Sequence, residues 1–186
     1  MLETTLINPK QNFSLEAESI IDTCPTIDKT KFREGVMDLE EKIKEMEGSF
    51  VGDTDNCPLK HNFSEGVYIR EMFLPKNTLI TGKIHKYEHT IFLMSGEVLV
   101  VTENKGREVL KAPLTIISPA GTKRVLYALT DVVWVNIYPN PTNTKNLEEL
   151  ETMIIASDYN EYEKFIKSKK SKLFKLKQTI IKNLSL

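Results

Sequence analysis

Residues 90–111 read TIFLMSGEVLVVTENKGREVLK, and this stretch decides the fold class. β-Branched and apolar residues run from Thr90 to Met94, break at Ser95-Gly96, resume from Glu97, and break again at Asn104-Lys105-Gly106. Ser-Gly and Asn-x-Gly are turn chemistry, and the runs between them have strand length. Two successive hairpins follow from that spacing. The same punctuation extends in both directions. Upstream, GVYIREMFL (66–74) stops at Pro75-Lys76-Asn77 and is followed by TLITGKIH (78–85). Downstream, LTIIS (114–118), RVLYAL (124–129) and DVVWVNIY (131–138) complete the series. About eight short strands with no helical stretch between them predict a mainly β domain over residues 61–140, a closed antiparallel β-barrel or double-sheet jelly roll.

Outside that domain the period changes. In residues 1–60, the N-terminal arm, Phe32, Val36, Leu39, Ile43 and Met46 recur at helical spacing before Gly48, which predicts an amphipathic helix over about 29–47. SLEAESIID (14–22) has the composition of a short helix ended by Pro25, and residues 49–62 read as a loop. In the C-terminal extension, residues 141–186, Leu147, Leu150 and Ile154 mark a helix over 144–155. A longer helix over 160–183 carries Tyr162, Phe165, Leu173, Leu176, Ile180 and Leu184 near one face, amid many lysines. Such a face either packs on the domain with a solvated lysine side, or meets an anionic partner.

With 186 residues, 40% hydrophobic and 27% charged, the chain can bury one full core. A formal net charge of -1 gives no overall attraction to nucleic acid, and no specific nucleic-acid partner is expected. Two isolated cysteines, Cys24 and Cys57, exclude a disulfide scaffold and a thiolate zinc site. No apolar stretch has the length of a membrane span, and MLETTLINPKQNF has no signal-peptide pattern, so a reducing interior is expected. Phosphate loops and nucleophile elbows are also missing from the sequence.

All three histidines, His61, His85 and His89, fall in the β region. The stretch KIHKYEHTIFLMSGEV (83–98) resembles the first motif of the cupins, a His-x-His pair, a Glu and a Gly at set distances. Anchored on Gly96, His89 takes the position of the Glu, His85 that of the second His and Lys83 that of the first. Asn77 stands where the family opens with Gly, and it tolerates the left-handed conformation. Pro119-Ala120-Gly121-Thr122-Lys123-Arg124 resembles the second motif, with Arg124 in place of its His. The wider pattern, including CPLKHNFSEGVYIREMFLP and VVWVNIYPNP, is similar to small cupin-like proteins of bacteriophage and prophage genomes, in which Tyr138 tends to be His.

The resemblance implies a jelly roll with a pocket at these positions, and for metal-dependent members a dioxygenase or isomerase chemistry. His85 and His89 are the candidate metal ligands, with His61, Glu71 or Tyr138 available to complete a set. On one straight strand they would lie about 13 Å apart, so joint ligation requires Lys86-Tyr87-Glu88 to turn. Lys83 and Arg124 stand where ligands belong, and two cations attract an anion instead. Period-two alternation places Tyr68, Arg70 and Met72 on one strand face and Trp134, Asn136 and Tyr138 on another. If those faces point inward, Arg70, Arg124, His85, His89, Trp134 and Tyr138 line a pocket suited to a sugar, a nucleotide or a carboxylate. Otherwise Trp134 is a core aromatic and Arg70-Glu71 an ordinary surface charge pair. Three readings stay open: a non-catalytic barrel for a small polar or anionic ligand, a metal-dependent cupin enzyme, and a scaffold in a phage particle. The expected partners are a second copy of the chain and other virion proteins, and the expected location is the host cytoplasm or the virion.

Overall fold

The computed structural model describes residues 5–7, 28–46, 49–51 and 57–184. The short helix expected over 14–22, and Cys24, lie outside the described residues. Thirteen strands are described: β1 (Thr5–Ile7), β2 (Ser49–Val51), β3 (Leu59–Ser64), β4 (Val67–Leu74), β5 (Leu79–Thr81), β6 (Ile84–His85) and β7 (His89–Ser95), then β8 (Glu97–Thr102), β9 (Gly106–Lys111), β10 (Leu114–Ser118), β11 (Arg124–Ala128), β12 (Val132–Pro139) and β13 (Ile155–Ala156). The helices are α1 (Lys29–Glu45), α2 (Leu147–Ile154) and α3 (Tyr159–Leu184).

The strands form two facing antiparallel sheets. One has the order β2-β1-β5-β11-β8-β9 and the other β10-β7-β12-β4-β3, while β13 pairs with β6 beside them. The expectation of a closed barrel is overturned. Consecutive strands β9 and β10 are the unpaired edges of different sheets, because the chain crosses from one sheet to the other at Ala112-Pro113. The arrangement is mainly β and consistent with a double-sheet jelly roll. The first sheet also recruits Thr5–Ile7 and Ser49–Val51 from the segment read as an arm, and Leu59–Asn62, read as loop, lies in edge strand β3.

Each hairpin is built from its turn residues. Gly96 has φ +85 and a Cβ there would run into the Asp131 carbonyl, so β7 and β8 join tightly only through glycine. Asn77 has φ 68, the left-handed conformation its position demands. Between the sheets lies an apolar core including Met72, Leu74, Ile91, Leu93, Val98, Val100, Val132 and Trp134. Helix α1 begins where Asp28 accepts hydrogen bonds from the backbone N–H of Thr30 (2.8 Å) and Lys31 (3.5 Å). Its stripe of Phe32, Val36, Leu39 and Ile43 covers Leu79, Leu99, Val101, Val125 and Tyr127 on the outer face of the first sheet. Burying each such side chain contributes about 1.5–3 kcal/mol. Coverage on both faces explains why every residue of β11 is buried, whereas β4 alternates buried residues with half-buried or exposed ones.

Helix α2 closes one end of the sandwich, packing Leu150 and Ile154 on Tyr68 and Tyr138. Helix α3 starts against the same end, where a Cβ on Gly121 would come within 2.6 Å of the Tyr162 ring. Phe165 meets Tyr87 edge-on at 5.3 Å. Farther along, Leu173 and Leu176, expected on a packed face, are exposed, because the helix runs on past the sheets it packs against. Among the described residues no helix is long and apolar enough to cross a membrane.

Candidate functional site

Every strand lining the interior changes character at the same level. Along β4 the inward residues run Leu74, Met72, Arg70, Tyr68, and along β12 Val132, Trp134, Asn136, Tyr138, in direct register. Strand β7 runs Leu93, Ile91, His89, and β10 runs Ile116 to Ser118 beside it. One half of the interior is therefore apolar and the other polar. All six pocket candidates, Arg70, His85, His89, Arg124, Trp134 and Tyr138, are buried at or beside the boundary.

Residues 86–88 do form the required turn, carrying the chain from β6 to β7. The imidazole centroids of His85 and His89 stand 4.3 Å apart. The turn is held by the C-terminal extension: the Lys86 backbone N–H donates to the Ile154 carbonyl (2.8 Å), and its Nζ donates to the Thr152 carbonyl (2.9 Å) and pairs with Glu161 (2.8 Å). Strand β13 pairs Ile155 with His85, and the Gly121 N–H donates to the His85 carbonyl at 2.7 Å. The C-terminal helices thus fix the position of His85.

Tyr138 stacks on both histidines, with centroids at 5.5 Å from His85 and 4.9 Å from His89. Tyr68 extends the stack at 5.7 Å and shares a 2.7 Å hydrogen bond with His61 Nδ1. Glu71 points outward to Lys60 (2.9 Å), so Arg70-Glu71 is not a pair and Arg70 turns inward alone. Arg124 is 7% exposed and Arg70 6%. The Arg124 guanidinium donates to Ser118 Oγ at 2.6 Å and lies 6.0 Å from the Trp134 ring centroid. Among the described residues neither guanidinium has a carboxylate within ion-pair distance. Among the described residues, Arg70 Nε, His85 Nδ1 and Tyr138 Oη are buried with no hydrogen-bond partner.

Burial, then the neighbouring His89 and Arg124 charges, hold His85 well below the usual imidazole range. Burial and Arg124 bring His89 to about 4. Burial lowers Arg124 to about 10, which leaves it protonated at neutral pH, and raises Tyr138, which keeps its phenol neutral. The pocket therefore holds guanidinium cations, neutral imidazoles and a neutral phenol. Its cavity of about 20 Å³ is lined by Arg70, His85, Arg124, Trp134 and Asn136 among others. That is room for a water-sized group or one oxyanion, and too little to enclose the sugar or nucleotide the residue types allowed.

The donor set does not fit a divalent metal. Among the described residues no three His, Cys, Asp or Glu side chains are placed to hold one. Glu71 faces outward to Lys60, His61 is engaged by Tyr68, and Tyr138 retains its proton. The imidazole nitrogens left over face guanidiniums, which repel a cation. The metal-dependent dioxygenase or isomerase reading therefore has no ligand set in this pocket. Sequence reasoning missed Ser118 and Thr122, which also belong to the polar half. The available signal for Ser118 was its place two residues beyond Ile116 on an alternating strand.

No family model matches the chain, and no curated protein does. Solved structures similar to it include ectoine synthase from P. lautus, 12% identical, covering 54% of this chain and 75% of that one with a TM-score of 0.44. An RmlC-like cupin family protein from Methanocaldococcus jannaschii is 15% identical, covers 50% and 89%, and has a TM-score of 0.40. A cupin superfamily protein from Desulfitobacterium hafniense is 10% identical, covers 47% and 81%, and has a TM-score of 0.40. The two-sheet architecture stands on its own strand order.

Proposed function

We propose that the protein is a non-catalytic double-sheet domain whose interior binds a small anion between Arg70 and Arg124. One observation carries this reading: two buried guanidiniums share a cavity in which, among the described residues, no carboxylate neutralises them. An uncompensated buried charge costs several kcal/mol, on the order of 3–5. An oxyanion accepting from the Arg70 Nε–H and the Arg124 fork removes that cost and gives an acceptor to the Arg70 Nε–H, which has no partner among the described residues. Neutral His85 and His89 add polarity without competing charge. The test is thermal unfolding of the full chain in acetate, formate and phosphate against chloride at constant ionic strength. Oxyanions raise Tm in the wild type and not in Arg70→Met. An equal Tm in all salts contradicts the proposal.

A second reading, self-assembly, rests on the outer face of the second sheet. There Phe73 opposes Val133, half-buried Phe92 opposes Val135, and Met94 is 60% exposed. Such an apolar face, which no described helix covers, fits a second copy of the chain, as in the phage-particle scaffold that the sequence resemblance implies. Light scattering on the eluting protein tests it: a dimer or larger that Met94→Glu converts to a monomer supports assembly, and a wild-type monomer refutes it.

A further inference from the structure

A second cavity shares Arg124 and Trp134 with the first and lies on their other side, along the seam between the unpaired edges β9 and β10. Its volume is about 100 Å³, five times that of the inner one. Its walls divide by chemistry. Val100, Leu110, Ile116 and Trp134 form an apolar side, and Arg124, Ser118, Thr102 and Thr122 a polar end. Thr122 is 3% exposed and its Oγ1 has no partner among the described residues.

We infer that Arg124 also seats, on its seam side, the carboxylate head of a short-chain organic monocarboxylate whose apolar body lies in the β9–β10 seam. This rests on the reading of the interior as an anion site and adds the identity of the ligand class. The guanidinium fork matches a carboxylate in two parallel hydrogen bonds. The Thr122 hydroxyl, otherwise unsatisfied, donates to the same head. Glu108 and Lys105 also line the seam and pair with each other at 3.5 Å, so Arg124 is the cation left at the polar end to meet a single carboxylate. A dry cavity of roughly 150 Å³ holds benzene, so this seam suits a body of about four carbons. The missing closure between β9 and β10 is what makes room for it: a paired ladder there would bring the two edges within about 5 Å and leave no space for a ligand body.

Calorimetric titration of the full chain with sodium acetate, propionate, isobutyrate and isovalerate at neutral pH tests the inference. Each added methylene tightens binding about fourfold, the factor corresponding to about 0.8 kcal/mol per buried CH₂. In Ile116→Ala, a half-buried position on an edge strand, that gain per methylene shrinks. Equal affinity for acetate and isovalerate overturns the apolar seat and leaves the anion site standing. Inorganic phosphate binding more tightly than isovalerate overturns the carboxylate head alone. Absence of any anion binding, acetate included, overturns both this inference and the reading beneath it.

Discussion

Lys123 and Arg124 are neighbours in sequence, both buried cations, and they face opposite sides of the same sheet. Lys123 points outward beneath α1, where its Nζ meets Glu40 at 2.6 Å, with the two side chains 2% and 6% exposed. Arg124 points inward to the Ser118 hydroxyl and the Trp134 ring, with no carboxylate within ion-pair distance among the described residues. One charge is matched inside the protein and belongs to the architecture, since it pins the helix to the sheet. The other is left for something outside the chain to match. Buried charge by itself is no sign of function; the absence of a compensating partner is what distinguishes the interior pocket from the helix seat.

The contrast makes unequal demands on stability. Glu40→Gln strands Lys123 in an apolar layer and lowers unfolding free energy by about 3–5 kcal/mol, readable from urea denaturation. In the apolar half of the interior, Leu93→Ala removes a fully packed side chain and costs about 2–5 kcal/mol by the same measurement. Acid acts on the polar half. His89 titrates near 4 in the folded protein against an ordinary 6.5, so between those values the unfolded chain takes up a proton that the folded one refuses. Its contribution is complete above pH 6.5 and declines as pH falls toward 4, by about 3 kcal/mol across the window. His89→Gln makes that slope shallower in urea titrations between pH 6.5 and 4.5, and His85, also held well below the usual imidazole range, supplies the remainder. Glu161, held near 2 chiefly by the Lys86 hydrogen bond, adds its own loss only at lower pH. The smallest effect belongs to the unmatched cation: Arg124→Met leaves stability without added anion within about 1 kcal/mol of wild type or raises it, since it replaces an uncompensated buried charge by an apolar side chain.

Much of the scaffold was legible because its signals are local. The stripe from Phe32 to Ile43 marked α1 and the face it buries, and alternation along 68–72 and 134–138 assigned the inward residues once both strands were taken as half-buried. Gly96 and Asn77 marked turns through their backbone needs. Long-range geometry was not legible. Nothing in Gly106–Lys111 or Leu114–Ser118 says that two adjacent strands fail to pair, because pairing depends on which sheet each joins. Edge strand β3 was hidden by Lys60, His61 and Asn62, whose composition reads as loop although Leu59, His61 and Phe63 alternate inward. The partnership of Lys123 with Glu40, eighty-three residues apart, likewise exists only in the fold. That partnership is why two adjacent cations of one motif have different roles.

The most direct test of the account is the Tm response to acetate in wild type and Arg124→Met, measured side by side at neutral pH and constant ionic strength. The account predicts that acetate raises the wild-type Tm and leaves that of the variant unchanged, and that without acetate the variant unfolds no earlier than wild type. A variant that unfolds much earlier, as Glu40→Gln is expected to do, together with a wild type indifferent to acetate, would show Arg124 to be another structural cation and contradict it.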